Sequence, residues 1–369
     1  MNNTPIDSNF YAVIPAGGVG SRLWPLSRVD SPKFLLDFTG SGRSLLRETF
    51  DRVAHLVPTQ RILVVTGDHH AEAVAHQLPK LAEGNLIAEP SPRESTAAIA
   101  LAAAIMVNQN PDAIIGSFAA DHVIRNEVAF AAAVAEAVRL AASGKVATIG
   151  IKPTSPSSAY GYIRVGDAIS EVSPQVASFA AEAFVEKPAL AIAQGYLDTG
   201  NHLWNAGMFV LKASLLLEIL GETQPELASG VAAIAASWNT EDREDVLARV
   251  WPTLHKIAID YSLAEPAAAK GLVAVVSAEL DWTDVGDFAS MSTLHPSDEL
   301  THVGPATVVG LESTGVVVSN GKKVIAVSGL TDVVIVETED ALLVTTKAQA
   351  QSVKAIVAEL DRRGIRDVL

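Results

Sequence analysis

The chain reads as an α/β fold: a Rossmann-like, mostly parallel or mixed sheet flanked by helices, followed by a small C-terminal β-rich unit. Three observations carry this. Between Phe10 and Ile151 short apolar runs alternate with helical stretches, the pattern of a sheet covered on both faces. The 369 residues are 49% hydrophobic but only 5% aromatic, which suits Ala- and Val-rich helices packed on strands. From Ala306 to Thr345 the pattern changes to short Val-rich runs punctuated by Gly, Asn or Asp.

In order, strands are expected at Phe10–Pro15, Arg61–Thr66, Asn85–Ala88, Ala113–Phe118 and Val146–Ile151. Helices are expected between them, around Leu45–His55, His69–Gln77, Ser95–Asn108 and Glu127–Ala142. Ligands of such folds sit at the carboxyl ends of the strands, and both the glycine-rich run after Pro15 and Asp121 fall there. Tyr160–Val165 and Phe179–Glu186 extend the sheet, Ala189–Thr199 is a helix, and Gly207–Leu211 and Leu272–Ser277 are further strands. Helices fill much of Ala213–Val250. The tail strands are Ala306–Gly310, Gly315–Ser319, Lys323–Val327, Asp332–Val336 and Ala341–Val344, closed by a helix over Ala348–Leu360. The organisation is a main domain over residues 1–297 and a small β-rich unit, short and β-helix-like, over 298–369.

Composition removes several function classes. There is no cysteine, hence no disulfide, thiolate metal site or cysteine nucleophile. The start of the chain has neither the basic nor the apolar stretch of a signal peptide. Alanine-rich runs such as Thr96–Val107 are too short and too broken to span a bilayer. These features fit a cytoplasmic protein. A formal net charge of −15 argues against a nucleic-acid surface. It leaves room for a nucleotide, which needs only a local positive site and carboxylates for a metal.

The segment from Ala12 to Lys33 is the most informative. An apolar strand enters Ala16-Gly17-Gly18-Val19-Gly20-Ser21, and cations follow at Arg22, Arg28 and Lys33. Glycines let the backbone approach an anion and aim several N–H groups at it. Arg22 can fork onto phosphate oxygens, and Lys33 supplies a point charge. Two commoner phosphate loops do not fit: no Lys-Ser/Thr follows the glycines, and Leu23 stands where a dinucleotide loop has its third glycine. Asp121, in Phe118-Ala-Ala-Asp121-His122, and Asp284, in Asp281-Trp-Thr-Asp284-Val-Gly286, are carboxylates at element ends. Each alone reads more often as a cap or turn residue; two together with phosphate oxygens and water could hold Mg2+.

The pattern G-G-x-G-[ST]-R-L-x-P-L-[ST]-x-x-x-P-K resembles the sugar-1-phosphate nucleotidyltransferases. The variant with Trp24 and Ser27-Arg28 is similar to their mannose-1-phosphate guanylyltransferase branch. The resemblance covers Phe10 to about Leu294, with several motifs in order, and continues into Thr338–Leu343. It implies a glycosyltransferase-A-like nucleotidyltransferase domain over residues 1–297. It further implies a metal at Asp121 and Asp284, with Arg22 and Lys33 as the catalytic cations. Nucleotide contacts would come from Ala16, Gly17, Gly18, Gly20, Ser21, Glu89, Ser95 and Asp121. The segment from Glu89 departs from the family pattern at Glu94, Ser95, Thr96 and Ala97. Ser95 is still expected to cap a helix there and to donate its hydroxyl. Gly161 in Tyr160-Gly-Tyr162, Glu186 and Lys187 in Phe184-Val-Glu-Lys-Pro188, and Asn205 in Trp204-Asn-Ala-Gly207 would hold the sugar phosphate.

The implied reaction is transfer of GMP from GTP to α-D-mannose 1-phosphate with Mg2+, giving GDP-mannose and pyrophosphate. Two alternatives stay open at this point: another nucleotide and sugar pair, such as UTP or dTTP with glucose 1-phosphate, and a sugar-nucleotide-binding regulator without turnover. Neither nucleic acid nor membrane is an expected partner, and a homodimer is compatible with the sequence.

Overall fold

The computed structural model describes residues 6–369. The chain divides into two compact units. The first comprises residues up to Gly17, Thr49–Ala120 and Ile124–Trp282; the second comprises Gly18–Glu48, Asp121–Val123 and Thr283–Leu369. Division points fall within α1 (Leu45–Ala54), β5 (Val123–Ile124) and β11 (Trp282–Thr283).

The first unit is built on a nine-stranded mixed sheet. Its strands are β1 (Phe10–Ala16), β2 (Ile62–Gly67), β3 (Leu86–Glu89), β4 (Ile114–Ser117), β6 (Val146–Ile151), β7 (Tyr162–Ser173), β8 (Val176–Val185), β9 (His202–Lys212) and β10 (Val273–Ala278). Their order is β3-β2-β1-β4-β9-β6-β10-β8-β7. The β3-β2-β1-β4 part is parallel, as the βα alternation predicts. Strand β9 then runs antiparallel to both β4 and β6, and β7–β8 is a long antiparallel hairpin. The expected strand at Gly207–Leu211 thus extends back to His202 and carries Trp204 and Asn205 within the sheet.

Helices α2 (Ala71–Gln77), α3 (Glu94–Gln109), α4 (Glu127–Ala142), α5 (Leu190–Thr199), α6 (Ala213–Thr223), α7 (Pro225–Ser237), α8 (Arg243–Val250) and α9 (Glu265–Ala269) complete this unit. Helix α3 is apolar all round, and every residue from Thr96 to Met106 is buried, so it runs through the core rather than along a surface. It packs with β1, β2, α6 and α7 in one contiguous cluster that includes Trp251 and Trp238.

The second unit holds the glycine-rich segment, α10 (Phe288–Ser292), α11 (Val353–Arg362) and strands β12 (Leu300–Val303), β13 (Thr307–Leu311), β14 (Gly315–Ser319), β15 (Val324–Ser328), β16 (Val333–Glu337) and β17 (Leu342–Thr346). Strands β12 to β16 alternate between two sheets, β12-β14-β16 and β13-β15, and β17 pairs with β16 to complete the first. All pairs are parallel except β16–β17. The register stacks Val316 on Val334 and Val318 on Val336, and these ladders join Leu23, Trp24, Phe288 and Val353 in one core. The closing helix starts later than expected, at Val353, because a 3-10 stretch occupies Lys347–Ser352. Among the described residues no helix is long and apolar enough to cross a membrane.

Candidate active site

In the second unit the glycine-rich segment, Asp121 and Asp284 form one cluster. Gly18 and Gly20 have φ of +83° and +76°, a region open to glycine at no steric cost. Gly20 caps a 3-10 turn over Ser21–Leu23, and its carbonyl accepts from Leu23 N (2.8 Å) and Ser27 Oγ (2.5 Å). A Cβ on Gly20 would stand 3.0 Å from Cβ, Cγ and Cδ of Lys33, so the bare glycine gives the lysine stem its path. Lys33 Nζ lies 2.7 Å from Asp121 Oδ2 and donates to the Asp284 carbonyl at 2.9 Å. The Lys33 ammonium therefore meets the Asp121 carboxylate and the main chain of Asp284, which brings three of the four expected catalytic residues together.

Burial alone would raise the Asp121 carboxyl, but the charges of Lys33 and His122 outweigh it and hold the group below its ordinary value. Asp284 accepts from Gly286 N at 3.2 Å through Oδ1. The adjacent Val285 sits at φ +46°, an outlier for a β-branched residue and a local store of strain. Arg22 is exposed and makes no ion pair with any described residue, so its guanidinium is free for a ligand. Ser21 is half-buried beside it.

Oxygen donors converging on a cation also suit a hard divalent ion. Among the described residues no group of three or more His, Asp or Glu side chains could hold a metal. Asp121 and Asp284 would therefore supply two ligands at most, and substrate oxygens and water the rest. The donor set fits Mg2+ on those terms.

In the first unit the expected sugar-phosphate residues form a second cluster. Lys187 Nζ contacts Glu186 Oε1 at 2.5 Å. A Cβ on Gly161 would lie 2.4 Å from Glu186 Oε2, so this glycine is what lets the carboxylate stand where it does. Asn205 accepts from Thr148 Oγ1 (3.0 Å) and Gly207 N (3.1 Å) and donates to Asp260 Oδ1 (2.8 Å). Its amide is thus largely occupied in positioning Asp260, a residue that sequence reasoning missed. Asp260 opens a π-helical turn over Asp260–Ala264, a rare backbone form common at functional sites. Burial, with the nearby Glu186 charge, pushes its carboxyl up to about 6. Burial lowers the Lys187 ammonium, but Glu186 and Asp260 overcome this and raise it. Lys187 itself sits at φ +46°. Among the described residues Glu186 Oε2 and Trp204 Nε1 are buried without a hydrogen-bond partner. Tyr160 packs against Trp204 and Trp282 with ring centroids 4.9 and 5.3 Å apart.

The remaining expected nucleotide residues are also in the first unit. Ala16 ends β1 buried, its carbonyl accepting from Thr66 Oγ1 at 2.8 Å, and Gly17 follows exposed. Glu89 ends β3, and burial pushes its carboxyl up to about 7. Ser95 does not cap α3 as expected. The helix starts one residue earlier at Glu94, whose φ is +63°, and Arg93 occupies the cap position with no side-chain capping bond. Ser95 Oγ accepts instead from Ile259 N at 2.9 Å, and Thr96 Oγ1 pairs with Ser262 Oγ at 2.8 Å. The start of α3 is thereby pinned to the turn that carries Asp260.

Comparison with known proteins places the chain in a family. The family described as nucleotidyl transferase matches residues 11–300. The MannoseP isomerase/GMP-like beta-helix domain matches residues 306–360. Over 96% of its length the chain is 36% identical to mannose-1-phosphate guanylyltransferase RfbM of Salmonella typhimurium, spanning 73% of that protein. Over 97% it is 34% identical to mannose-1-phosphate guanylyltransferase of Escherichia coli, spanning 74% of it. The crystal structure of a mannose-1-phosphate geranyltransferase from Thermus thermophilus superposes with a TM-score of 0.83 at 31% identity, covering 96% of this chain and 99% of that one.

Proposed function

We propose, since the chain belongs to the nucleotidyl transferase family, that it transfers GMP from GTP to α-D-mannose 1-phosphate. A phosphate oxygen of the sugar phosphate forms a bond to the α-phosphorus of GTP. The bond from that phosphorus to the β-phosphate bridging oxygen breaks, and pyrophosphate carries the electron pair away. No covalent enzyme intermediate is needed, so the protein contributes positioning and charge neutralisation.

Enzymes of this family use a divalent metal. Mg2+ is the ion we assign, held by Asp121 and Asp284, where it would neutralise charge on the phosphates. Arg22 and Lys33 stabilise the triphosphate and the leaving pyrophosphate. Backbone N–H groups at Gly17, Gly18, Gly20 and Ser21 face the nucleotide, and Ala16 ends the strand that presents them. Glu89 accepts from the N1–H and N2–H edge of guanine, a donor pair that adenine lacks, and Ser95 lies on the same segment. Gly161, Glu186, Lys187 and Asn205 hold the sugar phosphate, with Asp260 beside them. The observation that carries the reading is the convergence of Lys33, Asp121 and Asp284.

Pyrophosphate release from a matrix of nucleoside triphosphates and sugar 1-phosphates tests it. Metal-dependent release with GTP and mannose 1-phosphate is the expected result. Release only with another pair would keep the chemistry and refute the specificity. The enzyme is expected to act in the cytoplasm, and a homodimer is compatible with it.

A further inference from the structure

We propose that Lys33 is a built-in counter-ion for the metal position. In the ligand-free protein its ammonium holds the Asp121 carboxylate, one of the two assigned above to a divalent cation, so the free enzyme takes metal poorly and acquires it together with the triphosphate. This rests on the reading of Asp121 and Asp284 as metal ligands.

Lys33 Nζ has three oxygens around it: Asp121 Oδ2 at 2.7 Å, the Asp284 carbonyl at 2.9 Å and the Val285 carbonyl at 3.5 Å. An ammonium has three donors and no acceptor, and this set matches it. The lysine and aspartate side chains are only 13% and 21% exposed, so bulk water screens the pair weakly. The stem is held along Gly20, and Lys33 N donates to the Val19 carbonyl at 3.3 Å. The lysine therefore reaches this position from a fixed base, and only its flexible end is free to turn.

A divalent ion on Asp121 and the ammonium in its present place would be like charges within about 4 Å, close enough to repel strongly in a weakly screened site. Both cannot be held there without further anions. A triphosphate supplies them: its oxygens can take Lys33 and complete the metal shell at once. Metal and nucleotide binding are then coupled through Lys33, in a ligand-free enzyme whose carboxylate stays paired.

Mn2+ serves as the probe. Electron paramagnetic resonance counts free Mn2+ over wild-type protein, Lys33→Met, Lys33→Gln, and Lys33→Met combined with Asp121→Asn, all without nucleotide. Thermal melting confirms that each variant is folded, and Lys33→Gln serves if Lys33→Met is not. Removal of the ammonium is expected to tighten Mn2+ binding by about tenfold or more, and the added Asp121→Asn to abolish the gain. Equilibrium dialysis of GTP with and without Mn2+ over wild-type and Asp121→Asn protein checks the underlying reading. Equal Mn2+ affinity of wild-type and folded Lys33 variants, with Asp121→Asn still weakening Mn2+-dependent GTP binding, would overturn the counter-ion role alone. Mn2+-dependent GTP binding untouched by Asp121→Asn would overturn the metal assignment and the proposal with it.

Discussion

Arg28 and Asp340, 312 positions apart in sequence, meet in a two-point ion pair: Nη1 to Oδ2 at 2.9 Å and Nη2 to Oδ1 at 2.6 Å. Thr338 Oγ1 accepts from the same guanidinium at 3.2 Å. Within the second unit the glycine-rich segment is thus fastened to the turn between β16 and β17. Hydrogen bonds from Arg28 first, then from Thr338, hold the Asp340 carboxyl down to about 2.

Asp340→Asn should therefore loosen the segment that carries Arg22 and Lys33. The pair is partly exposed, so the effect is small: KM for GTP should rise by about two- to fivefold with kcat nearly unchanged. A depressed carboxyl contributes stability above its ordinary titration range and loses it as the pH falls, here between about pH 4 and 2. Thermal melting of wild-type and Asp340→Asn protein should converge across that window. A KM for GTP identical to that of wild type would show that the fastening has no bearing on the nucleotide.

Gly20→Ala meets two obstacles. The new Cβ falls 3.0 Å from the Lys33 stem, and φ of +76° strains any side chain. The left-handed conformation alone costs roughly 1–2 kcal/mol of folding stability. Displacement of Lys33 should lower kcat well beyond what that loss explains. Denaturant melts and single-turnover rates on one preparation separate the two effects.

Much of this was legible in the chain. Uninterrupted apolar runs such as Ile62–Val65 are buried on both faces, and that signature fixes the parallel part of the sheet. Gly-Gly-x-Gly marks a tight turn, and Gly18 and Gly20 do adopt the positive φ that such a turn uses. Asp260 was not legible. Its partners Asn205, Glu186 and Lys187 come from β9 and the end of β8, and only tertiary packing makes Asp260 their neighbour. The antiparallel placement of β9 between β4 and β6 was hidden similarly, since an apolar run carries no record of its direction. The start of α3 at Glu94 was not legible either, because Ser95 is a good cap by type while its hydroxyl is engaged by Ile259 N.

Asp260→Asn should separate stability from binding. Burial and Glu186 raise the Asp260 carboxyl, so its ionised form opposes folding above about pH 6 and ceases to do so below about pH 4. The neutral amide should be more stable than wild type at pH 8, by up to about 3 kcal/mol, with the advantage gone at pH 4. KM for mannose 1-phosphate should rise about tenfold, the loss of a charged hydrogen-bond partner. Melting curves at both pH values, with sugar-phosphate saturation curves, check the pair of statements. A variant less stable than wild type at pH 8 would contradict the first.

Burial pushes the Glu89 carboxyl up to about 7. A carboxylate that accepts from guanine must be ionised, so KM for GTP should fall as the pH rises from 6 to 8. Glu89→Gln should flatten that dependence and weaken discrimination against ATP. A pH step that persists unchanged in Glu89→Gln would assign it to another group.

The central claim is tested most directly by the identity of the product. Incubation with GTP and mannose 1-phosphate should yield GDP-mannose and pyrophosphate in equal amounts by phosphorus NMR, only with divalent metal. Lys33→Ala and Asp284→Ala should each lower the rate by about a hundredfold or more, the scale seen when a group that stabilises developing charge is removed. Formation of GDP-mannose at near wild-type rate by either variant would contradict the account, as would undiminished formation in the presence of chelator.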